Sequence, residues 1–220
     1  MISQSAKDRA IYITEVIFQQ ILAIFCVIIL WELFSQSNYD FSTKRTWHIL
    51  LCVFGFALCM AEGVQIFRKE SIVTVGNNRL DKAMAHLIVM CVAFLSITIG
   101  ISLKISEKSD LNREHFNSTH GILGLSSWII AFVTALGGVI VKNSDRLNIG
   151  RPSLFKFVHI LFGVSAYVLG IVSLGYGLHY LLVIGSNRIH GRDFLIALMS
   201  IYVSYSLIGP CLSLFHFMKK

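Results

Sequence analysis

Six long stretches of this 220-residue sequence are apolar and nearly uncharged. They cover residues 11–34, 48–67, 84–104, 119–141, 154–178 and 194–217, each to within a few positions. A helix needs about 20 apolar residues to cross roughly 30 Å of hydrocarbon, and it satisfies its own backbone hydrogen bonds in lipid. The runs lack the alternating polar pattern of a membrane β-barrel. They therefore predict an all-α integral membrane protein with six transmembrane helices.

Composition supports a membrane protein made of one domain. Hydrophobic residues are 55% of the chain and charged residues 14%, and the mean hydropathy is +0.70, far from the averages of soluble proteins. Every connection between the apolar runs is far shorter than the chain length that even a small folded domain needs. No separate soluble domain fits between the runs, so we expect residues 1–220 to form a single transmembrane domain.

Lysine and arginine are unevenly divided between the two sides of such a bundle. Twelve of the 19 fall in segments on the same side as the two termini, and seven fall on the other side. Because basic residues are enriched in cytosolic segments, this bias predicts that both termini lie in the cytosol. The net charge of +7 then comes mostly from lysine and arginine side chains near the membrane surface, which face anionic lipid. No nucleic-acid partner is expected.

Four of the eight histidines lie near predicted helix starts at regular spacing. The interval from His48 to His86 is only one position shorter than the interval from His120 to His159. The spacing between the two helix pairs is equally regular: the interval from His48 to His120 and the interval from His86 to His159 differ by only one position. Since successive transmembrane helices run in opposite directions, we expect His48 and His120 in the non-cytosolic leaflet. His86 and His159 should share the cytosolic leaflet.

An ionisable side chain inside a membrane costs several kcal/mol without a partner, so each of these histidines is a functional candidate. Two facing pairs at two depths suit axial ligation of two haems by neutral imidazole nitrogens. Gly124 and Gly163, each one helical turn after His120 and His159, would remove bulk on the same helix face. An alternative stays open at this point: a haem-free transporter or channel that uses the histidines as proton relays or metal sites. Haem content distinguishes the two.

The motifs around these histidines are "TWHILL", "AMAHLIV", "STHGILG" and "FVHILFG", and together with the six helices they resemble the cytochrome b561 family. The segments "WHILLCVFGFALCMAEGVQIF" and "HFNSTHG" are similar to its short members. This resemblance implies that helices 2–5 form a four-helix bundle holding two b haems, with His48 paired to His120 and His86 to His159. It also implies a homodimer, in an endoplasmic reticulum or cytoplasmic vesicle membrane.

The resemblance further implies an oxidoreductase that moves electrons from cytosolic ascorbate to monodehydroascorbate or ferric iron on the other side. Ascorbate is an anion at neutral pH, so its site should offer positive charge. We expect that charge from four basic residues just before the cytosolic histidines: Arg79, Lys82, Arg151 and Lys156. On the opposite side His115, shortly before His120, is expected to relay a proton or bind iron. Glu62 is expected to pair with Arg79 or Lys82. No residue is assigned covalent catalysis.

Overall fold

The computed structural model describes residues 4–35, 40–68, 71, 78–148, 150–184 and 189–219. Within these ranges the chain is helical, without strands, and six helices are long and apolar enough to span a membrane. The helices are α1 Gln4–Ser35, α2 Lys44–Gln65, α3 Arg79–Asp110, α4 Thr119–Lys142, α5 Pro152–His179 and α6 Ile189–Met218. The predicted class, an all-α multi-pass membrane protein, is confirmed.

Polar side chains cap the first turns of α3 and α4, and for α3 the cap lies well before the apolar run begins. The side chain of Asn78 accepts hydrogen bonds from the backbone N–H groups of Leu80 and Asp81, at 2.9 and 3.0 Å. Ser118 caps α4 in the same way through the N–H of Gly121, at 3.2 Å. Such caps satisfy N–H groups that lack an intrahelical partner, so a helix begins where its cap stands rather than where its apolar run begins.

Helix α2 contains a wide π-helical segment, Val53–Met60, between the α-helical turns Lys44–Cys52 and Ala61–Gln65. The segment places Phe56 in close contact with α5, because a Cβ atom added at Gly170 would lie 2.2 Å from Cε1 of the Phe56 ring. Only glycine leaves room for this approach. A second π segment, Tyr180–Ile184, continues α5.

The central helices form two hairpins, α2–α3 and α4–α5. Contacts within each hairpin are extensive, whereas α3 and α4 share few direct contacts. Trp128 on α4 makes one of them, since its indole N–H donates to Oγ1 of Thr98 on α3 at 2.8 Å. The Trp128 ring also stacks against Phe94, with ring centroids 5.9 Å apart. Two packed hairpins with few contacts between them leave space where the hairpins face each other.

Helices α1 and α6 pack together and flank the hairpins. Phe25 of α1 meets Tyr202 of α6 edge to face at 5.2 Å, and both side chains are fully buried. The hydroxyl of Ser206 on α6 donates to Oη of Tyr167 on α5 at 3.1 Å. This contact joins the outer helix to the second hairpin through the most buried part of the core.

A polar cluster joins α1, α2 and α6, and it corrects one expectation. Nε2 of Gln19 donates to Oε1 of Glu62 at 2.8 Å, so Glu62 bonds to α1 rather than to Arg79 or Lys82. The ammonium of Lys82 instead donates to the carbonyl oxygen of Arg68 at 2.6 Å. The expected ion pair does not form because this turn of α2 directs Glu62 toward α1, away from the start of α3.

Candidate functional site

The four histidines form two facing pairs, each of which crosses from one hairpin to the other. The ring centroids of His48 on α2 and His120 on α4 are 6.0 Å apart, with an interplanar angle of 83°. Those of His86 on α3 and His159 on α5 are 6.3 Å apart, at 76°. The pairs lie toward opposite ends of the bundle, called below the His48 end and the His86 end. The structure thus brings together the same histidines that their sequence spacing predicted to face each other.

Each imidazole is oriented by a backbone carbonyl of the other helix in its own hairpin. The four Nδ1-to-oxygen distances are 2.9 Å for His48 to Gly100, 2.8 Å for His86 to Gly63, 2.8 Å for His120 to Ser173 and 3.1 Å for His159 to Thr134. A carbonyl oxygen only accepts, so Nδ1 carries the proton and Nε2 keeps a lone pair. Second-shell bonds of this kind fix the tautomer and ring orientation of metal-binding histidines.

The spacing within each pair fits one metal ion between two imidazoles. Nitrogen–metal bonds of about 2.0–2.1 Å on opposite sides of an ion put the two ring centroids roughly 6 Å apart. The measured separations, 6.0 and 6.3 Å, agree with this. Among the described residues no group of three or more His, Cys, Asp or Glu side chains could hold a metal. The pairs therefore fit a metal whose remaining ligands come from a macrocycle, as in a haem.

Glycines leave room for the imidazoles. A Cβ atom at Gly177 would lie 3.1 Å from Cε1 of His120, and one at Gly138 would lie 3.0 Å from Cε1 of His159. Gly124 and Gly163 were expected to make room for a macrocycle, and Gly124 does line the cavity beside His120. The missing side chains of those two face the neighbouring helix of the hairpin, near Ser173 and Thr134. Gly177 and Gly138, which contact the imidazoles, both lie on that neighbouring helix, so spacing after each histidine did not identify them.

A cavity of about 640 Å³ surrounds the His48–His120 pair, and its size is in the range of cofactor sites. Phe56, Leu174 and Leu178 contribute apolar walls. Glycines 124, 170 and 177 and both imidazoles also line it. A long apolar slot with two convergent nitrogen ligands suits a flat, largely apolar macrocycle.

The mouth of this cavity is polar, and His115 is among the residues that line it. Oγ of Ser109 is 3.2 Å from Nε2 of His115 and holds the ring. Four basic residues that the sequence analysis did not select share the mouth: Arg45, Lys104, Lys108 and Arg113. Lys104 and Lys108 are one helical turn apart on α3, a spacing that could have identified them.

The four residues expected at the ascorbate site lie at the His86 end. Arg79 begins α3, Arg151 precedes the first turn of α5, and Lys156 lies in the second turn. Arg79 is close enough to Lys156 for their positive charges to repel. The structure does not place all four around one cavity, since Lys82 bonds to the Arg68 carbonyl and Lys156 lines a groove with α4 and α6.

Six apolar helices with histidines paired across two hairpins define a class of helical membrane proteins that hold haem between their helices. The family follows from comparison with known proteins. The family model of eukaryotic cytochrome b561 matches residues 47–184, more than half of the chain, and the chain belongs to this family of haem b proteins.

Named relatives agree with this family. Over 137 residues the chain is 29% identical to the human protein named transmembrane reductase CYB561D2, a match that covers 62% of each chain. The Bos taurus protein of that name matches with the same identity and coverage. Transmembrane ascorbate ferrireductase 2 of Arabidopsis thaliana is 25% identical over 158 residues, 69% of this chain and 66% of that one. The chain thus aligns with less than two thirds of the length of the first two. The resemblance to the family and its short members is confirmed.

Proposed function

We propose that this chain carries electrons across a membrane with two b haems, one held by His48 and His120 and the other by His86 and His159. The observation that carries the proposal is the matched geometry of the two pairs, each with a ring separation that fits one metal ion. A b haem, when bound, would supply one-electron redox chemistry, and the two imidazoles of each pair would hold it.

The protein's part is to hold and orient the imidazoles. The four Nδ1 bonds to carbonyl oxygens fix each ring and leave Nε2 facing the space between the hairpins. Ser173 adds a second restraint, because its hydroxyl donates to the carbonyl oxygen of His120 at 2.8 Å. Rings that are already oriented lose little freedom on ligation, which favours tight binding.

Ascorbate is the electron donor that we propose, at the His86 end and on the cytosolic side. Arg79, Lys82, Arg151 and Lys156 place positive charge around that end, which attracts a small anion and raises its local concentration. The excess of lysine and arginine in the segments at this end supports a cytosolic location for it and for both termini.

The acceptor that we propose is monodehydroascorbate or a ferric chelate, bound at the mouth of the His48 cavity. Lys104 is paired with Glu107 at 2.7 Å, but the basic residues of that mouth still outnumber its two carboxylates, Glu107 and Glu114, which suits an anionic acceptor. Reduction of monodehydroascorbate to ascorbate consumes one electron and one proton. We propose that His115, whose ring is within hydrogen-bond distance of the Ser109 hydroxyl, supplies that proton.

The membrane and the assembly are also proposals. The resemblance supports an endoplasmic reticulum or cytoplasmic vesicle membrane and a homodimer. Apolar side chains such as Val27, Leu95 and Leu136 are more than half exposed on the helices, so lipid or a second copy covers them.

Reconstitution tests the proposal. The purified chain should contain about two b haems, and in proteoliposomes ascorbate on one side should support reduction of ferric chelate on the other. The double variant His48→Ala with His86→Ala removes one ligand from each pair and is the control. Wild-type chain without haem would refute the proposal and favour the transporter alternative. Haem without transfer to either acceptor would refute the substrates alone.

A further inference from the structure

The two ends of the bundle differ in how their charges are compensated. Ion pairs between described side chains lie at the His48 end: Lys44 with Asp110 at 2.5 Å, Lys104 with Glu107 at 2.7 Å and Arg192 with Asp193 at 2.6 Å. At the His86 end, no basic side chain in the described part of the chain pairs with a carboxylate of that part. The described residues of that end therefore carry an excess of positive charge, because their basic side chains outnumber carboxylates such as Asp81 and Asp145.

The lysines of the His86 end contact uncharged groups instead. The ammonium of Lys142 is 3.2 Å from the sulfur of Met84. Lys156 and Lys219 lie over the rings of Phe217 and Phe215, at 5.8 and 4.3 Å from the ring centroids. An ammonium over an aromatic face keeps unused hydrogen-bond donors. These lysines can each bind an anion from outside the protein.

Lys156 also lines a groove of about 660 Å³ that opens to the surface where α4, α5 and α6 end or begin. Its polar lining consists of the Lys156 ammonium, the His216 imidazole and the hydroxyls of Ser144, Ser153 and Ser213. Its apolar lining is Val141, Pro152, Leu212 and Phe217. The groove thus combines donors for an anion with an apolar wall, at the depth where helices leave the hydrocarbon.

We propose that this groove binds the phosphate headgroup of an anionic phospholipid. Lys156 and His216 would contact the phosphate oxygens, the serine hydroxyls would donate to the remaining ones, and Leu212 and Phe217 would pack against the start of an acyl chain. Basic pockets between transmembrane helices bind anionic headgroups on the cytosolic side of membranes, which agrees with the excess of positive charge at this end. The proposal does not depend on haem or on the proposed electron transfer.

The test compares lipids on the purified full-length chain in detergent. Phosphatidic acid, phosphatidylcholine and inorganic phosphate are titrated separately, with native mass spectrometry to count bound lipid and thermal unfolding to measure stabilisation. Phosphatidic acid should bind and raise the unfolding temperature, whereas phosphatidylcholine and inorganic phosphate should not. Lys156→Gln should weaken phosphatidic acid binding about tenfold, the loss expected for one charge-assisted hydrogen bond.

Lys219→Gln is the matched control, because it removes one positive charge at the same end but Lys219 does not line the groove. It should leave the affinity for phosphatidic acid within twofold of wild type. His216→Gln changes an exposed side chain and should lower the affinity by a smaller factor than Lys156→Gln, which keeps the test available if the lysine variant does not fold. Equal losses in Lys156→Gln and Lys219→Gln would overturn the proposal, because diffuse charge would explain them. Equal stabilisation by inorganic phosphate would also overturn it, since the groove would then be a soluble-anion site.

Discussion

Gly138 offers a sharp test of the cofactor geometry, because its neighbour Gly137 supplies a control. Replacing Gly138 with alanine would place a Cβ atom 3.0 Å from Cε1 of His159. Ordinary contacts of this kind begin at 3.4 Å, so the imidazole or the helix must shift by a few tenths of an ångström. At Gly137 an added Cβ meets nothing within 4 Å. Each substitution raises helix propensity by the same amount, up to about 1 kcal/mol. The difference between the two variants therefore reports only the contact with His159.

The magnitude follows from the bond that holds the ring. Nδ1 of His159 donates to the carbonyl oxygen of Thr134 at 3.1 Å, already long for an N–H to oxygen bond. A further shift of the ring would largely break it, at a net cost of about 1 kcal/mol. Disturbing a second-shell partner of a metal ligand lowers metal affinity roughly 10–100-fold, which corresponds to about 1.4–2.7 kcal/mol. We expect Gly138→Ala to weaken haem binding at the His86–His159 pair by that factor.

The assay is haem stoichiometry together with haem release. The pyridine haemochrome spectrum gives haem per chain, and transfer to an excess of a haem-free globin gives the rate of loss. Wild type and Gly137→Ala should retain two haems with similar release rates. Gly138→Ala should lose one haem faster by roughly the same 10–100-fold factor, because the substitution acts on the bound state and leaves association unchanged. Equal release from the two alanine variants would refute the contact argument.

Three further outcomes follow from the site. His86→Ala or His159→Ala should each reduce the haem content from two per chain to one, because the pair loses an Nε2 lone pair; a double variant that still held two haems would show the pairing to be wrong. Lys82→Gln combined with Lys156→Gln should slow reduction by ascorbate and flatten its dependence on ionic strength, since less positive charge attracts the anion, with acceptor kinetics nearly unchanged in rapid mixing. His115→Ala should slow re-oxidation by monodehydroascorbate and leave reduction by ascorbate intact. If the lysine pair altered only re-oxidation, the donor and acceptor ends would be reversed.

The apolar runs were sufficient to predict the six helices but not where each begins. Hydropathy registers the hydrocarbon-crossing portion, whereas a helix continues until a cap or turn ends it. The run at 84–104 lies within α3, Arg79–Asp110, because Asn78 caps the helix well before the apolar part starts. The π segment Val53–Met60 left no signal in the hydrophobic pattern, since its residues are apolar in either geometry.

Histidine spacing predicted which imidazoles would face each other, because it depends only on helix length and alternating direction. The orienting carbonyls could not be predicted, since any backbone oxygen can accept and its position depends on how each helix is rotated about its axis. The expectation for Glu62 failed for the same reason, since α2 is rotated so that Gln19 of α1, not a base of α3, is its partner. Arg45, which lines the mouth of the His48 cavity, was not predicted because it lies far from His115 in the sequence.

The division of the bundle into two self-contained hairpins has a consequence for biogenesis. Each hairpin contains the carbonyl groups that orient its own two histidines, so neither hairpin needs the other to orient its imidazoles. The hairpins can enter the membrane one after the other as the chain is synthesised, without waiting for long-range contacts. In the proposed two-haem arrangement, loading of either haem would require one imidazole from each hairpin. Cofactor occupancy is therefore also a measure of completed assembly, and a quality-control system that removes haem-free chains would remove undocked ones.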